Sequence, residues 1–160
     1  ETSVLKTRVP LFRMLETTED AAVFLNAISE YLHSLSAFVD IETLETINES
    51  IEKIANSLNI SVSFFQSNSE GEIIDCIHKA VSEYDGAVIN PGAYTHYSYA
   101  IYDAIKAIEK PVIEVHLSNV SAREEFRKTS VIAPACVGSI SGFGKNSYFL
   151  AVNAMKEILK

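Results

Sequence analysis

The chain predicts a doubly wound α/β fold, a parallel sheet with helices on both faces. Three observations predict it: short apolar strand runs, helical patterns that alternate with them from residue 42 onward, and a length of 160 residues that suits one domain. Leu44, Ile47, Ile51, Ile54, Ala55 and Leu58 recur at helical spacing. Ile60 to Gln66 reads as a strand, with Val62, Phe64 and Phe65 as its β-formers. Ile73, Ile74, Ile77, Ala80 and Val81 mark a second helix, and Ala87-Val88-Ile89 is a short apolar strand run. A third helix carries Ala100, Ile101, Ala104, Ile105 and Ile108 and stops at Pro111. Val112 to Val115 is the next strand, Gly138 to Ile140 the candidate last one. Leu150, Ala151, Ala154, Met155 and Ile158 form a closing helix. Strands of this apolar, unbroken kind belong to a sheet covered on both faces.

The first forty residues are read as an atypical N-terminal segment of the same domain, residues 1–160. Thr2 to Val9 is the candidate first and central strand, stopped at Pro10. Thr17 or Thr18 caps a helix of about 18–35, with Glu19 and Asp20 in its first turn. Ala21, Leu25, Ile28, Leu32 and Leu35 then make a narrow apolar seam, as on a helix packed against another helix.

Composition excludes several function classes. The net charge of −8 argues against a nucleic-acid surface, which needs a basic stripe. No apolar run approaches the roughly 18 residues that span a bilayer, and the N-terminus carries no signal-peptide pattern. Cys76 and Cys136 are the only cysteines and lack metal-ligand spacing, so they read as reduced thiols in a cytoplasmic protein without a metal.

Ligands of open α/β sheets bind outside the carboxyl ends of the strands. After Ala87-Val88-Ile89 comes Asn90-Pro91-Gly92-Ala93-Tyr94-Thr95-His96, and after Val112 to Val115 comes His116-Leu117-Ser118-Asn119. Two histidines from two loops on one edge point to a shared pocket, although a single loop histidine is usually just a satisfied one. The amides of Leu117 and Ser118, read as preceding a short helix, suit a carboxylate. Arg123 and Arg127 follow on that helix. For Arg123 a solvated face paired with Glu124 and Glu125 is the better reading.

Several blocks of this sequence look like the signature blocks of type II dehydroquinases. They are Gln66-Ser67-Asn68-Ser69-Glu70-Gly71-Glu72, Asn90 through His96 with Ser98 and Asp103, and Ile113 through Asn119 followed by Arg123-Glu124-Glu125-Phe126-Arg127. Gly138, Gly142, Phe143, Gly144 and Tyr148 fit the closing glycine-rich block. The resemblance implies a flavodoxin-like five-stranded parallel sheet of order 2-1-3-4-5. It implies a shikimate-pathway lyase that converts 3-dehydroquinate to 3-dehydroshikimate by anti elimination of water through an enolate, with no cofactor. His116 is then the general acid. Asn90 and His96 bind ring hydroxyls, Leu117 and Ser118 hold the carboxylate, and Arg127 contacts a hydroxyl on the far side. Asp103 reaches a neighbouring subunit's site in a trimer-based assembly, usually a dodecamer.

The resemblance stops near residue 42. The family opens with a strand ending in Asn-Gly-Pro-Asn-Leu-Asn and a lid bearing an essential Arg and a Tyr base. Pro10 through Leu15 agrees with that opening only at its Pro and its last Leu, and no Arg lies between Arg13 and Arg123. Tyr31 is the candidate base, set among apolar neighbours where a packed tyrosine is the usual reading. Two functions therefore stand. One is a 3-dehydroquinate dehydratase, which retention of His116 favours. The other is a catalytically impaired relative or engineered variant acting as an anion-binding or scaffolding module, which loss of the Arg–Tyr pair favours.

Overall fold

A computed structural model describes residues 21–27 and 41–160. Nine principal elements follow in order: β1 (Ala21–Ala27), α1 (Ile41–Ser57), β2 (Ile60–Phe65), α2 (Glu70–Glu83), β3 (Gly86–Asn90), α3 (Tyr99–Ile108), β4 (Val112–His116), β5 (Gly138–Ser141) and α4 (Asn146–Ile158). From α1 onward they fall where the apolar periodicity places them. All strand pairs are parallel, and the sheet runs β2-β1-β3-β4-β5.

The N-terminal segment differs from expectation. Ala21–Ala27 is a strand, where the spacing of Ala21, Leu25 and Ile28 predicts a helix. Its sequence opens with the unbroken apolar run Ala-Ala-Val-Phe-Leu. Such a run has no period of its own, so helix and strand templates both match it. Parallel pairing on both sides decides the matter: Ala21 to Asn26 register with Ile60 to Phe65, and Val23 to Ala27 with Gly86 to Asn90. β1 thus takes the central place expected of Thr2 to Val9. That stretch, and residues 28 to 35 of the expected helix, lie outside the described residues.

Side chains of a strand alternate between faces, and the two cores follow that alternation. Ala87, Ile89 and Val112 face α2 and α3, meeting Ile73, Ile77 and Ala80 from the first and Ile101, Ala104, Ile105 and Ile108 from the second. Val88, Ile113 and Val115 face the other way, onto Ile51 and Ala55 of α1 and Tyr148, Ala151, Val152 and Met155 of α4. Each fully buried Ile or Val contributes about 1.5–3 kcal/mol of transfer free energy. Gly86 lets β3 start close beneath α4: a Cβ there would lie 2.7 Å from Met155 Sδ and 3.1 Å from the Pro111 carbonyl oxygen.

The helices begin with side-chain caps where the sequence offers them. Ser69 accepts from the Glu72 amide at the start of α2, with Glu70 and Glu72 in the favoured first turn. Ser98, almost fully buried, accepts from the Ile101 amide at 3.0 Å and starts α3 directly behind the loop that follows β3. That cap fixes where the Gly92–His96 turn ends, and so where its side chains stand.

Candidate active site

The carboxyl ends of β3 and β4 carry most of the polar side chains singled out from the sequence. In β4, Val112, Glu114 and His116 share one face, because residues two apart on a strand point the same way. Val112 packs into the core beneath α2 and α3. Glu114 therefore points its carboxylate into that core, at 0 % exposure. A charge in such a place needs partners, since burial alone makes ionisation costly.

It has three. The His116 Nε2 atom lies 2.7 Å from Glu114 Oε1. The Thr95 hydroxyl donates to the same oxygen. The Ser130 hydroxyl lies 3.1 Å from each carboxylate oxygen. Burial pushes the Glu114 carboxyl up, but hydrogen bonds from His116 and Thr95, the His116 charge and the Ser130 hydroxyl outweigh it and hold it below its ordinary value. Glu114 is accordingly an anion, and His116, itself only 8 % exposed, is held by one nitrogen. Among the described residues no hydrogen bond engages its other nitrogen.

The turn Gly92–His96 places Thr95 inward. His96, the next residue, accepts or donates at Nδ1 with the Thr129 carbonyl at 2.8 Å and meets the Phe126 ring edge-on. The Val131 amide donates to the Thr95 carbonyl at 2.7 Å. The segment 129–131 thus ties the loop after β3 to the buried pair in β4. His96 bonds this segment directly, and His116 is linked to it through Glu114 and Ser130.

The residues after His116 are held from behind by the glycine-rich turn. The Gly142 and Gly144 amides donate to the carbonyls of His116 and Leu117 at 3.3 and 2.9 Å. The buried Ser147 hydroxyl donates to the His116 carbonyl at 3.0 Å. Gly142 has φ +97° and sits where a Cβ would press on Asn119 Cβ at 3.2 Å, so glycine is required on both counts. On the far side of β3, the Asn90 side chain hydrogen-bonds Tyr148 of α4. Burial pushes the Tyr148 phenol up to about 12, against a smaller lowering from Asn90. Burial thus keeps the Tyr148 phenol protonated where it meets Asn90.

Comparison of the whole chain with known proteins places it in a family. The family model described as dehydroquinase class II matches residues 36–156. The 3-dehydroquinate dehydratase of Caldicellulosiruptor saccharolyticus is 70 % identical over 112 residues, 69 % of this chain and 77 % of that protein. That of Clostridium perfringens is 60 % identical over 111 residues, covering 69 % and 77 %. A crystal structure of type II dehydroquinase from Butyrivibrio crossotus superposes with a TM-score of 0.79 at 41 % identity, covering 88 % of this chain and 99 % of that one. The chain belongs to the class II dehydroquinase family.

Within this dehydroquinase, the residues singled out from the sequence fall into three groups. Asn90, His96, His116 and Leu117 are tied into the sheet edge by the contacts above, with Ser118 directly following. Arg127 lies nearby but on a separate 3-10 turn, Glu125–Lys128, while Arg123 ends another, Val120–Ala122. This corrects the single helix expected to carry both arginines. Asn119 accepts from the Ser121 amide and opens the first turn, Arg123 ends it in an extended conformation at ψ −163°, and Glu124, extended at ψ 149°, precedes the second. Arg127 donates to Glu124 at 2.9 Å and stacks over Phe126 at 4.8 Å; Arg123 lies 3.5 Å from the same carboxylate. Asp103 is exposed on α3. Tyr31 lies outside the described residues.

Sequence reading missed Glu114, Thr95, Ser130 and Ser147. Glu114 carried a signal: an acid inside the otherwise apolar strand Val-Ile-Glu-Val, two residues before His116, must share its face. Ser130 had none, since its contact depends on how the 3-10 turns fold back. Cys76 and Cys136 are both free, and burial pushes each thiol up to about 12. Among the described residues no group of three or more His, Cys, Asp or Glu side chains is placed to hold a metal, and no helix is long and apolar enough to cross a membrane.

Proposed function

We propose that this chain removes water from 3-dehydroquinate, with His116 as the acid that protonates the departing hydroxyl. The observation that carries the reading is the buried Glu114–His116 pair at the carboxyl end of β4, directly before Leu117 and Ser118. A hydroxide-like leaving group needs a positioned proton donor, and an imidazole oriented by a carboxylate supplies one. The chain is an enzyme, a hydro-lyase of the shikimate pathway.

In this reading a base takes the proton beside the ketone and the electrons pass into an enolate. The enolate then expels the hydroxyl from the opposite face as His116 delivers its proton. The Leu117 and Ser118 amides and the Ser118 hydroxyl hold the substrate carboxylate. Asn90, braced by Tyr148, and His96, braced by Thr129, bind ring hydroxyls, and Arg127 binds a hydroxyl on the far side. Preorganised donors of this sort stabilise a developing charge without rearranging. Tyr31 is the candidate base. No metal or organic cofactor enters the scheme. Residues 1–160 form one domain of flavodoxin-like order 2-1-3-4-5. It works in the cytoplasm as a trimer-based oligomer, a dodecamer when complete, in which Asp103 reaches the neighbouring site.

The test follows the conjugated product by its ultraviolet absorbance as purified chain is added to 3-dehydroquinate. Turnover should be measurable and should fall in Tyr31→Phe. Normal turnover in Tyr31→Phe removes Tyr31 as the base and leaves the reaction. No turnover at all removes the reaction.

A further inference from the structure

Glu114 makes more hydrogen bonds than orientation of His116 requires, and the surplus comes from two hydroxyls outside the strand. We propose that Thr95 and Ser130 are positioning residues, a two-hydroxyl clamp that fixes the Glu114 carboxylate so that it presents one oxygen to His116 Nε2. The inference rests on His116 being the acid of the proposed reaction.

The proton inventory supports the assignment. A hydroxyl has one hydrogen to give and two lone pairs to receive. Ser130 Oγ receives the Ile132 and Ala133 amides at 3.2 and 2.8 Å, so both its lone pairs are engaged. Its single hydrogen is left to point at Glu114 or at Thr95, whose Oγ1 is 2.7 Å away. Thr95, 1 % exposed, gives its own hydrogen to Oε1. An ionised carboxylate accepts only, so the Thr95 and imidazole hydrogens aimed at it, with Ser130 bonded to it directly or through Thr95, hold it ionised and in one rotamer. Oε1 receives both Thr95 and His116; rotation about the carboxyl group would break both together. The clamp also reaches the ligand side of the site. Thr95 precedes His96, and Ser130 follows Thr129, whose carbonyl holds His96.

The titratable groups facing Glu114 are His116 on its own strand and Cys136 from the segment entering β5. Thr95 and Ser130 are uncharged, and β3 offers Ile89 in register beside it. Loss of a clamp hydroxyl leaves the carboxylate less satisfied, so it takes up a proton at higher pH than in the parent. A hydroxyl that merely fills a buried hydrogen-bonding need would alter stability and leave this titration and the His116 proton in place.

The experiment compares the full chain with Thr95→Val, Thr95→Ser, Ser130→Cys and Ser130→Thr. Thr95→Val keeps shape and removes the donor, and Ser130→Cys keeps volume and weakens it. The first readout is the His116 Nε2–H proton in nitrogen-edited NMR of the ligand-free chain, which needs no turnover. It should move upfield and broaden in Thr95→Val and Ser130→Cys, and return in Thr95→Ser and Ser130→Thr. The second is the pH profile of kcat with 3-dehydroquinate. Its acid limb should shift to higher pH in the first two variants, with kcat down about tenfold and KM within about twofold, the scale of one hydrogen bond to a charged group. A His116 proton unmoved in both variants overturns the clamp whatever the turnover. A moved proton with an inactive parent sustains the clamp and removes the proposed reaction instead.

Discussion

Replacing Glu114 by Gln keeps the size of the side chain and removes its charge, which makes it a direct probe of how His116 is held. The carboxylate offers acceptors to His116, Thr95 and Ser130 at once. A carboxamide has one oxygen and one NH2 group, so at least one of the three donors meets another donor. If the amide turns its oxygen to Thr95, where the closest contact lies, His116 Nε2 shares that oxygen without the charge. A hydrogen bond to a charged group is worth about 1.5–3 kcal/mol, and at about 1.36 kcal/mol per decade its loss lowers kcat by roughly 10- to 150-fold. Stability should move less. The variant loses a hydrogen bond but also the cost of burying an anion, so its unfolding free energy at neutral pH should stay within about 1.5 kcal/mol of the parent. The assay is kcat from product absorbance beside urea unfolding of the same preparations. Unchanged kcat in Glu114→Gln would refute the view that the carboxylate's charge orients the acid. A stability loss larger than about 4 kcal/mol would make Glu114 primarily a folding residue.

Acid unfolding carries a second signature of the same group. Glu114 is held below its ordinary value, so its contribution is fully present above the unfolded carboxyl pKa of about 4.3 and is lost as pH falls through the folded value. Glu114→Gln should flatten the stability–pH curve below about pH 4.3, read by thermal melts from pH 3 to 6. Gly86→Ala should cost about 1–3 kcal/mol, because Met155 Sδ can swing away but the Pro111 carbonyl cannot. Met155→Leu should therefore recover only part of that loss in urea unfolding. Ser98→Ala removes the buried cap of α3 and should lower stability by about 1–2 kcal/mol, with the loss seen in the same assay.

The sequence made the periodic part of this fold legible because its burial is periodic. Ile101, Ala104, Ile105 and Ile108 face one core and can be read at helical spacing, as can Ile73, Ile77 and Ala80. β1 is illegible for the opposite reason: its apolar run Ala-Ala-Val-Phe-Leu has no alternation, and its neighbours in the sheet are remote in sequence. The site divides along the same line. Asn90, His96 and His116 were legible as polar residues at strand ends, where parallel sheets bind ligands. The groups that set their geometry were not. Ser130 is sixteen positions from Glu114, and Tyr148 meets Asn90 only after α4 packs across the sheet. The spacing of Arg123 and Arg127 fits one helix, but the extended backbone of Arg123 and Glu124 divides them between two turns.

The central claim is that His116, oriented by Glu114, donates the proton in loss of water from 3-dehydroquinate. The most direct measurement is single-turnover formation of the conjugated product by the parent chain and by His116→Ala, at saturating enzyme so that binding is equalised. A general acid typically contributes about 10²- to 10⁴-fold, so the chemical step should slow by that factor in His116→Ala while calorimetry still detects substrate binding. A chemical step of equal rate in the two proteins would contradict the account.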